Sequence, residues 1–234
     1  MSELIPGIQK RLDDVLNQIK NAPKLENHVD LLAVSKTFPK EAVLIAAQAG
    51  QRLFGENYAQ EGCEKVNWFR ENHPELKLVW HFIGPVQANK TRPIAEHFDW
   101  VESINREKIA RRLDEQRPES MGPLNVLIEV NIDGEVSKSG VMPEDVPALC
   151  DIIKSLSHLR LRGLMAIPAP AKTHEEKLKP LRAMRALYES LRERYGFDTL
   201  SMGMSDDRLE ALEAGTTQIR VGTAIFGHRD YSTK

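Results

Sequence analysis

Short apolar segments alternate with helix-patterned segments along almost the whole chain, and no other feature narrows its fold as much. Strands are predicted at residues 31–36, 52–57, 78–83, 99–104, 124–132, 159–167, 199–204 and 217–226. The segments between them carry apolar residues at helical spacing. In the longest, residues 175–194, Leu178, Leu181, Met184, Leu187, Tyr188 and Leu191 form one stripe, and Arg182, Arg185, Glu189 and Arg192 form the wet face. Strands joined by helices pair in parallel, because each crossover returns the chain to the same end of the sheet. Eight units of about 29 residues match a closed (β/α)8 barrel, the TIM-barrel form of the α/β class. An open doubly wound sheet is the competitor, but it calls for a glycine-rich first turn. The first turn here is Lys36-Thr37-Phe38-Pro39. An amphipathic segment at 3–20, with Leu4, Ile8, Leu12, Val15, Leu16 and Ile19 on one face, is expected as an extra N-terminal helix. No repeat, low-complexity stretch or linker interrupts the pattern, so a single domain over residues 1–234 is expected.

Composition excludes several classes of function. With 32 basic and 34 acidic residues and a net charge of −2, there is no electrostatic footprint for nucleic acid. The first residues lack a basic stretch followed by an apolar one, and no apolar run approaches the ~18 residues of a membrane span. The expected location is the cytoplasm, with no membrane partner. Cys63 and Cys150 lie far apart and outside any metal-ligand spacing, as befits reduced, apolar thiols. No HExxH, Walker lysine, nucleophile elbow or zinc spacing occurs. The outer helices are polar enough to favour a monomer.

In a parallel barrel the C-terminal ends of the strands converge on one face, where chemistry sits. Lys36 ends the first strand. Burial disfavours an ammonium ion, and a neutral lysine amine can attack a carbonyl carbon to form a Schiff base. The plainer alternative is a lysine that snorkels to solvent. Glu56 and Asn57 close the second strand, His81 lies near the end of the third, and Glu129 and Asn131 lie near the end of the fifth. In the last strand Gln218, Arg220 and Gly222 alternate with Ile219 and Val221, which turns Arg220 into the barrel. There it needs an acceptor, either a structural partner such as Glu129 or another inward acid, or a ligand.

The loops after strands seven and eight often hold phosphate in barrels. Here they contain Ser201, Gly203 and the run Ser205-Asp206-Asp207, then Gly222 and Thr223. Glycines let a backbone approach an anion closely, and hydroxyls add donors. Turn chemistry and capping alone are the alternative. A lysine facing two such loops calls for a ligand with a carbonyl at one end and a phosphate at the other. Pyridoxal 5′-phosphate fits, with its aldehyde at Lys36, its phosphate at the strand seven and eight loops and its ring nitrogen opposite Arg220. Met165 and Asn57 are placed to pack against the ring or bond to it.

The segments LLAVSKT (31–37), FGENYAQE (54–61), WHFIGPVQANK (80–90), NVLIEVNIDGEVSKSG (125–140), LRGLMAIPAP (161–170), LSMGMSDD (200–207) and RVGTAIFG (220–227) resemble those of the YggS/PROSC family of pyridoxal phosphate homeostasis proteins. That family is related to the barrel domain of alanine racemase. The resemblance implies that Lys36 carries the cofactor as a Schiff base, that Ser201, Gly222 and Thr223 lie at the phosphate, and that Arg220 meets the ring nitrogen. It also implies a role in vitamin B6 balance without robust turnover, with apoenzymes as recipients of cofactor. Lys138 matches a family lysine that would hold cofactor transiently during transfer. Phe38 stands where some bacterial relatives carry a second lysine.

Two other readings remain open. An amino-acid racemase needs a second acid–base group besides Lys36. Of Tyr58, Tyr188, Tyr195 and Tyr231, only Tyr58 is placed to serve. A cofactor-free aldolase would use Lys36 for its Schiff base and the two loops for a sugar phosphate.

Overall fold

The computed structural model describes residues 7–135 and 138–227. The strands are β1 (Asp30–Val34), β2 (Leu53–Glu56), β3 (Val79–Phe82), β4 (Trp100–Ile104), β5 (Leu124–Val130), β6 (Leu159–Ala166), β7 (Thr199–Ser201) and β8 (Gln218–Val221). They pair in parallel, in sequence order, and close into a barrel. Closure is made by β1 on β8, with Asp30 opposite Gln218 and Leu32 opposite Arg220. The helices are α1 (Ile8–Asn21), α2 (Lys40–Gln48), α3 (Ala59–Asn72), α4 (Thr91–His97), α5 (Glu107–Gln116), α6 (Val146–Lys154), α7 (His174–Tyr195), α8 (Arg208–Ala214) and α9 (Thr223–Phe226).

The strand alternation separates two cores. Leu31, Ala33, Phe54, Trp80, Phe82, Val126, Ile128, Leu164, Leu200, Ile219 and Val221 belong to the large apolar core beneath the helices. Leu32, Leu127 and Met165 are equally buried but stand apart from it, at the alternate positions that face the barrel interior. α1 buries Ile8, Leu12, Val15 and Ile19, and packs against α2 and α9. Its start at residue 3, and with it Leu4, lies outside the described residues, and Leu16 is largely exposed. α7 is fixed at its start by a capping box between Thr173 and Glu176. No helix among the described residues is long and apolar enough to cross a membrane. Both cysteines are free thiols.

Several strands stop earlier than their apolar runs. β1 ends at Val34, so Lys36 sits in the turn just beyond it. β5 ends at Val130 and β7 at Ser201. β8 ends at Val221, and the residues expected to extend it form α9 instead. The last pair of β8 is Ala33–Val221 with β1, and its last bond to the segment after β7 runs from the Arg220 amide to the Gly203 carbonyl at 3.0 Å. The segment between β3 and β4 opens with a tight turn, Ala88–Lys90, before α4 begins.

Candidate functional site

A cavity of about 620 Å³ opens at the C-terminal ends of the strands. Its wall includes Val34, Lys36, Asn57, Arg220, Gly222 and Thr223. Alternation explains the choice of residues. Lys36 follows Val34 by two positions and Asn57 follows Gly55 by two, so both continue the inward faces of their strands into the mouth. Gly222 continues the face of Gln218 and Arg220. A Cβ at Gly222 would stand 3.2 Å from the Val34 carbonyl oxygen, so a side chain there would crowd the strand beneath Lys36. Much of the remaining wall comes from the loop after β6, residues 167–171, and the loop after β7, residues 204–207, with Phe38 and Ile83. Lys177 at the start of α7 also lines it, and donates to the Asp206 carbonyl at 2.6 Å.

Met165 and Ser201 do not line this cavity. They pair in register one layer below the mouth, with Ile167 reaching the wall two residues beyond Met165. Ser201 nevertheless bears on the site through Arg220. Arg220 is 3% exposed, and donates through Nη1 to Ser201 Oγ at 2.7 Å and through Nη2 to the Ala166 carbonyl at 2.9 Å. Ser201 Oγ donates to Glu102 Oε2 at 2.7 Å and accepts from Gln218 Nε2 at 3.0 Å. Gln218 Nε2 and His81 Nδ1 both reach Glu102 Oε1, at 2.7 and 2.6 Å. His81 stacks flat on Trp100, 4.9 Å between centroids.

Of the acceptors expected for Arg220, Glu129 or another inward acid, the structure supplies a relay through Ser201 to Glu102, an acid the sequence did not single out. The signal for Glu102 is a charge in the middle of a strand, flanked by Val101 and Ser103. Burial alone would push its carboxyl up, but the bond and charge of His81, the charge of Arg220 and the Ser201 hydroxyl together hold it below the ordinary value. Burial lowers Arg220, opposed by Glu102 and then by Asp207 and Glu129. The guanidinium starts so high that it stays charged. Glu129 faces Arg220 without bonding to it, and burial raises its carboxyl.

The other residues singled out above lie partly at the mouth and partly away from it. Asn57 Oδ1 is buried without a protein partner. Phe38 lines the cavity and packs on Phe226, 5.2 Å between ring centroids. Lys138 lies at the rim, 3.1 Å from the Ile167 carbonyl and 3.3 Å from Asp133 Oδ2. Tyr58 is exposed and absent from the cavity wall, while Tyr188 and Tyr195 are buried on α7. Tyr231 lies outside the described residues.

The profile of the alanine racemase N-terminal domain matches residues 11–230. The chain belongs to that family. It is 54% identical to the pyridoxal phosphate homeostasis protein of Vibrio cholerae serotype O1, over 97% of this chain and 98% of that protein. It is 47% identical to the protein of that name from Escherichia coli K12, over the full length of both. PipY of Synechococcus elongatus, solved with PLP bound, superposes with a TM-score of 0.81 at 33% identity, over 94% of this chain and all of that one. Alanine racemase from Corynebacterium glutamicum shares the fold, with a TM-score of 0.72 at 17% identity, but this chain spans only 63% of it.

Proposed function

We propose that this protein binds pyridoxal 5′-phosphate at the barrel mouth and holds it covalently on Lys36, as part of intracellular vitamin B6 homeostasis. The observation that carries the reading is the convergence of Lys36, Arg220, Gly222 and Thr223 on one cavity. Bound there, the group supplies an electrophilic aldehyde carbon and an electron-withdrawing ring. Lys36 would hold the group through its amine at that carbon. The cationic Arg220, fixed from below by Ser201 and Ala166, would meet the ring nitrogen and disfavour its protonation, which would weaken the ring as an electron sink. Gly222 and Thr223 offer close backbone approach and a hydroxyl to the phosphate. Asn57, with its unpartnered Oδ1, gives the ring a polar neighbour. Met165 and Ser201 act one layer down, as floor and as support for Arg220.

A carrier that turns over little is favoured over a racemase. Racemisation needs a second acid–base group besides Lys36, and the tyrosine weighed for that role is not at hand, since none of Tyr58, Tyr188 and Tyr195 lines the cavity. The names of the relatives at about half identity point the same way. On this reading the protein acts as a cytoplasmic monomer and passes cofactor to apoenzymes, with Lys138 at the rim as a transient holding point. The test is the visible spectrum of wild type and Lys36→Ala with added pyridoxal phosphate, before and after borohydride. A band in wild type that borohydride fixes irreversibly to Lys36, and that the variant lacks, supports the assignment. A wild type that stays colourless sinks it and returns the chain to the cofactor-free aldolase reading.

A further inference from the structure

Behind the first strand, away from the cavity, lies a buried charge cluster that the proposed binding does not use. Lys65, in the middle of α3, is 5% exposed. Its ammonium donates to the Ser35 carbonyl at 2.8 Å, to Glu56 Oε1 at 2.7 Å and to Glu61 Oε1 at 2.7 Å. Those three acceptors use all three of its protons. Ser35 Oγ donates to the same Glu56 oxygen at 2.7 Å. The Thr37 amide donates to Glu61 Oε1 at 2.6 Å. Thr37 has a φ of 67°, in the left-handed region that a β-branched residue rarely occupies.

These contacts share one target. They hold the backbone on both sides of residue 36, the carbonyl before it and the amide after it. A buried lysine is an expensive way merely to pin a helix to a barrel, since an apolar side chain of similar volume does so without desolvating a charge. Glu56 shows that cost directly, because burial outweighs Lys65 and raises its carboxyl. What an apolar residue cannot do is accept from the Thr37 amide or donate to the Ser35 carbonyl. We infer that Glu61 and Lys65, with Glu56 behind them, are positioning residues that clamp the strained turn carrying Lys36 and so set how firmly the protein retains its cofactor. The inference rests on the assignment of Lys36 above and adds the control of retention.

Lys65→Met would leave two carboxylates facing each other, and a failure to fold would be ambiguous. Glu61 is partly exposed, so Glu61→Ala and Glu61→Gln are the informative pair. Glutamine keeps an acceptor for the Thr37 amide, whereas alanine does not. Two quantities are read. The first is hydrogen exchange of the Thr37 amide, followed by NMR in cofactor-free protein. The second is the half-time of cofactor loss on dialysis. In Glu61→Ala both are expected to quicken about tenfold, the effect of losing one hydrogen bond to a charged group. In Glu61→Gln both should recover most of the way to wild type, and far-UV circular dichroism should stay native in each. Unchanged exchange at Thr37 in the alanine variant overturns the clamp, and faster exchange with unchanged cofactor loss overturns its role in retention. A wild type that takes up no cofactor refutes the Lys36 assignment separately, and with it the retention role, while amide exchange still decides whether the clamp exists.

Discussion

Arg220 is joined to Glu102 through one oxygen, the Ser201 Oγ, which lies 2.7 Å from each. The guanidinium that faces the cavity is thus held by a hydroxyl whose own proton is committed to a carboxylate deeper in the barrel. Ser201→Ala removes the acceptor of one Arg220 donor and is expected to cost about 1–3 kcal/mol, the penalty for leaving a buried polar group unpaired. Glu102→Ala strips the buried cation of the carboxylate whose charge bears on it most and should cost about 3–5 kcal/mol. Urea titrations of both variants decide the matter. If Ser201→Ala proves the more damaging, the carboxylate is not the anchor of the relay.

The two inward acids near Arg220 respond to pH in opposite senses. Glu102 sits below its ordinary value, so its contribution to stability is full above the unfolded pKa of about 4.3 and is lost as pH falls through the lower folded one. Glu129 is raised by burial, so the folded protein favours its protonated form. Its ionisation therefore costs stability as pH climbs from the unfolded value to the higher folded one. Glu129→Gln should melt increasingly above wild type as pH rises from about 4, with the gap levelling off once Glu129 has ionised in the native state. Melting curves of both proteins from acid to neutral pH test this. A gap that does not change with pH means that Glu129 keeps an ordinary carboxyl.

Much of this is legible in the sequence because a barrel translates two simple periods into position. Alternation along the last strand is enough to place Gln218 and Arg220 inside, and Lys36, Asn57 and Gly222 follow from the same rule. The rule gives the direction of a side chain but not the depth of its layer. Met165 and Ser201 face inward as expected, yet lie one step below the cavity wall. Nor does it give partners from other strands. Glu102 meets Arg220 across the barrel, from β4 to β8, and no local pattern links residues so far apart. The expected β8 is too long because apolar Ala224, Ile225 and Phe226 suit a short helix as well as a strand, and the pairing of β8 with β1 ends at Val221.

Asp133 ties down one wall of the mouth. Its Oδ2 accepts from the Ala169 amide at 2.6 Å and from Lys138 Nζ at 3.3 Å, and Ala169 lines the cavity. Asp133→Ala is expected to leave global stability nearly unchanged, since the groups are at the surface, while weakening cofactor binding several-fold by releasing the loop at 167–171. The equilibrium binding titration should move and the thermal midpoint should not. A midpoint that falls with unchanged binding would show that the contact supports the fold rather than the wall.

Gly84 offers a steric test of the mouth. It follows β3, where the Ser103 hydroxyl donates to its carbonyl at 2.6 Å, and it abuts the end of β2. A Cβ at this position would stand 2.1 Å from the Asn57 carbonyl oxygen and 2.8 Å from the Asn57 Cα. Backbone atoms cannot swing aside as a flexible side chain can, so Gly84→Ala must push the two loops apart by roughly 1 Å, on ordinary contact distances. Overpacking of this kind costs about 1–3 kcal/mol. The displacement falls on Asn57, which lines the cavity beside Lys36. Cofactor affinity should therefore fall by more than the loss of global stability explains, because misplacing a binding group by about 1 Å can cost up to 100-fold. Titration with pyridoxal phosphate well below the melting temperature separates the two effects. Full affinity in a destabilised Gly84→Ala protein would mean that Asn57 contributes nothing to binding.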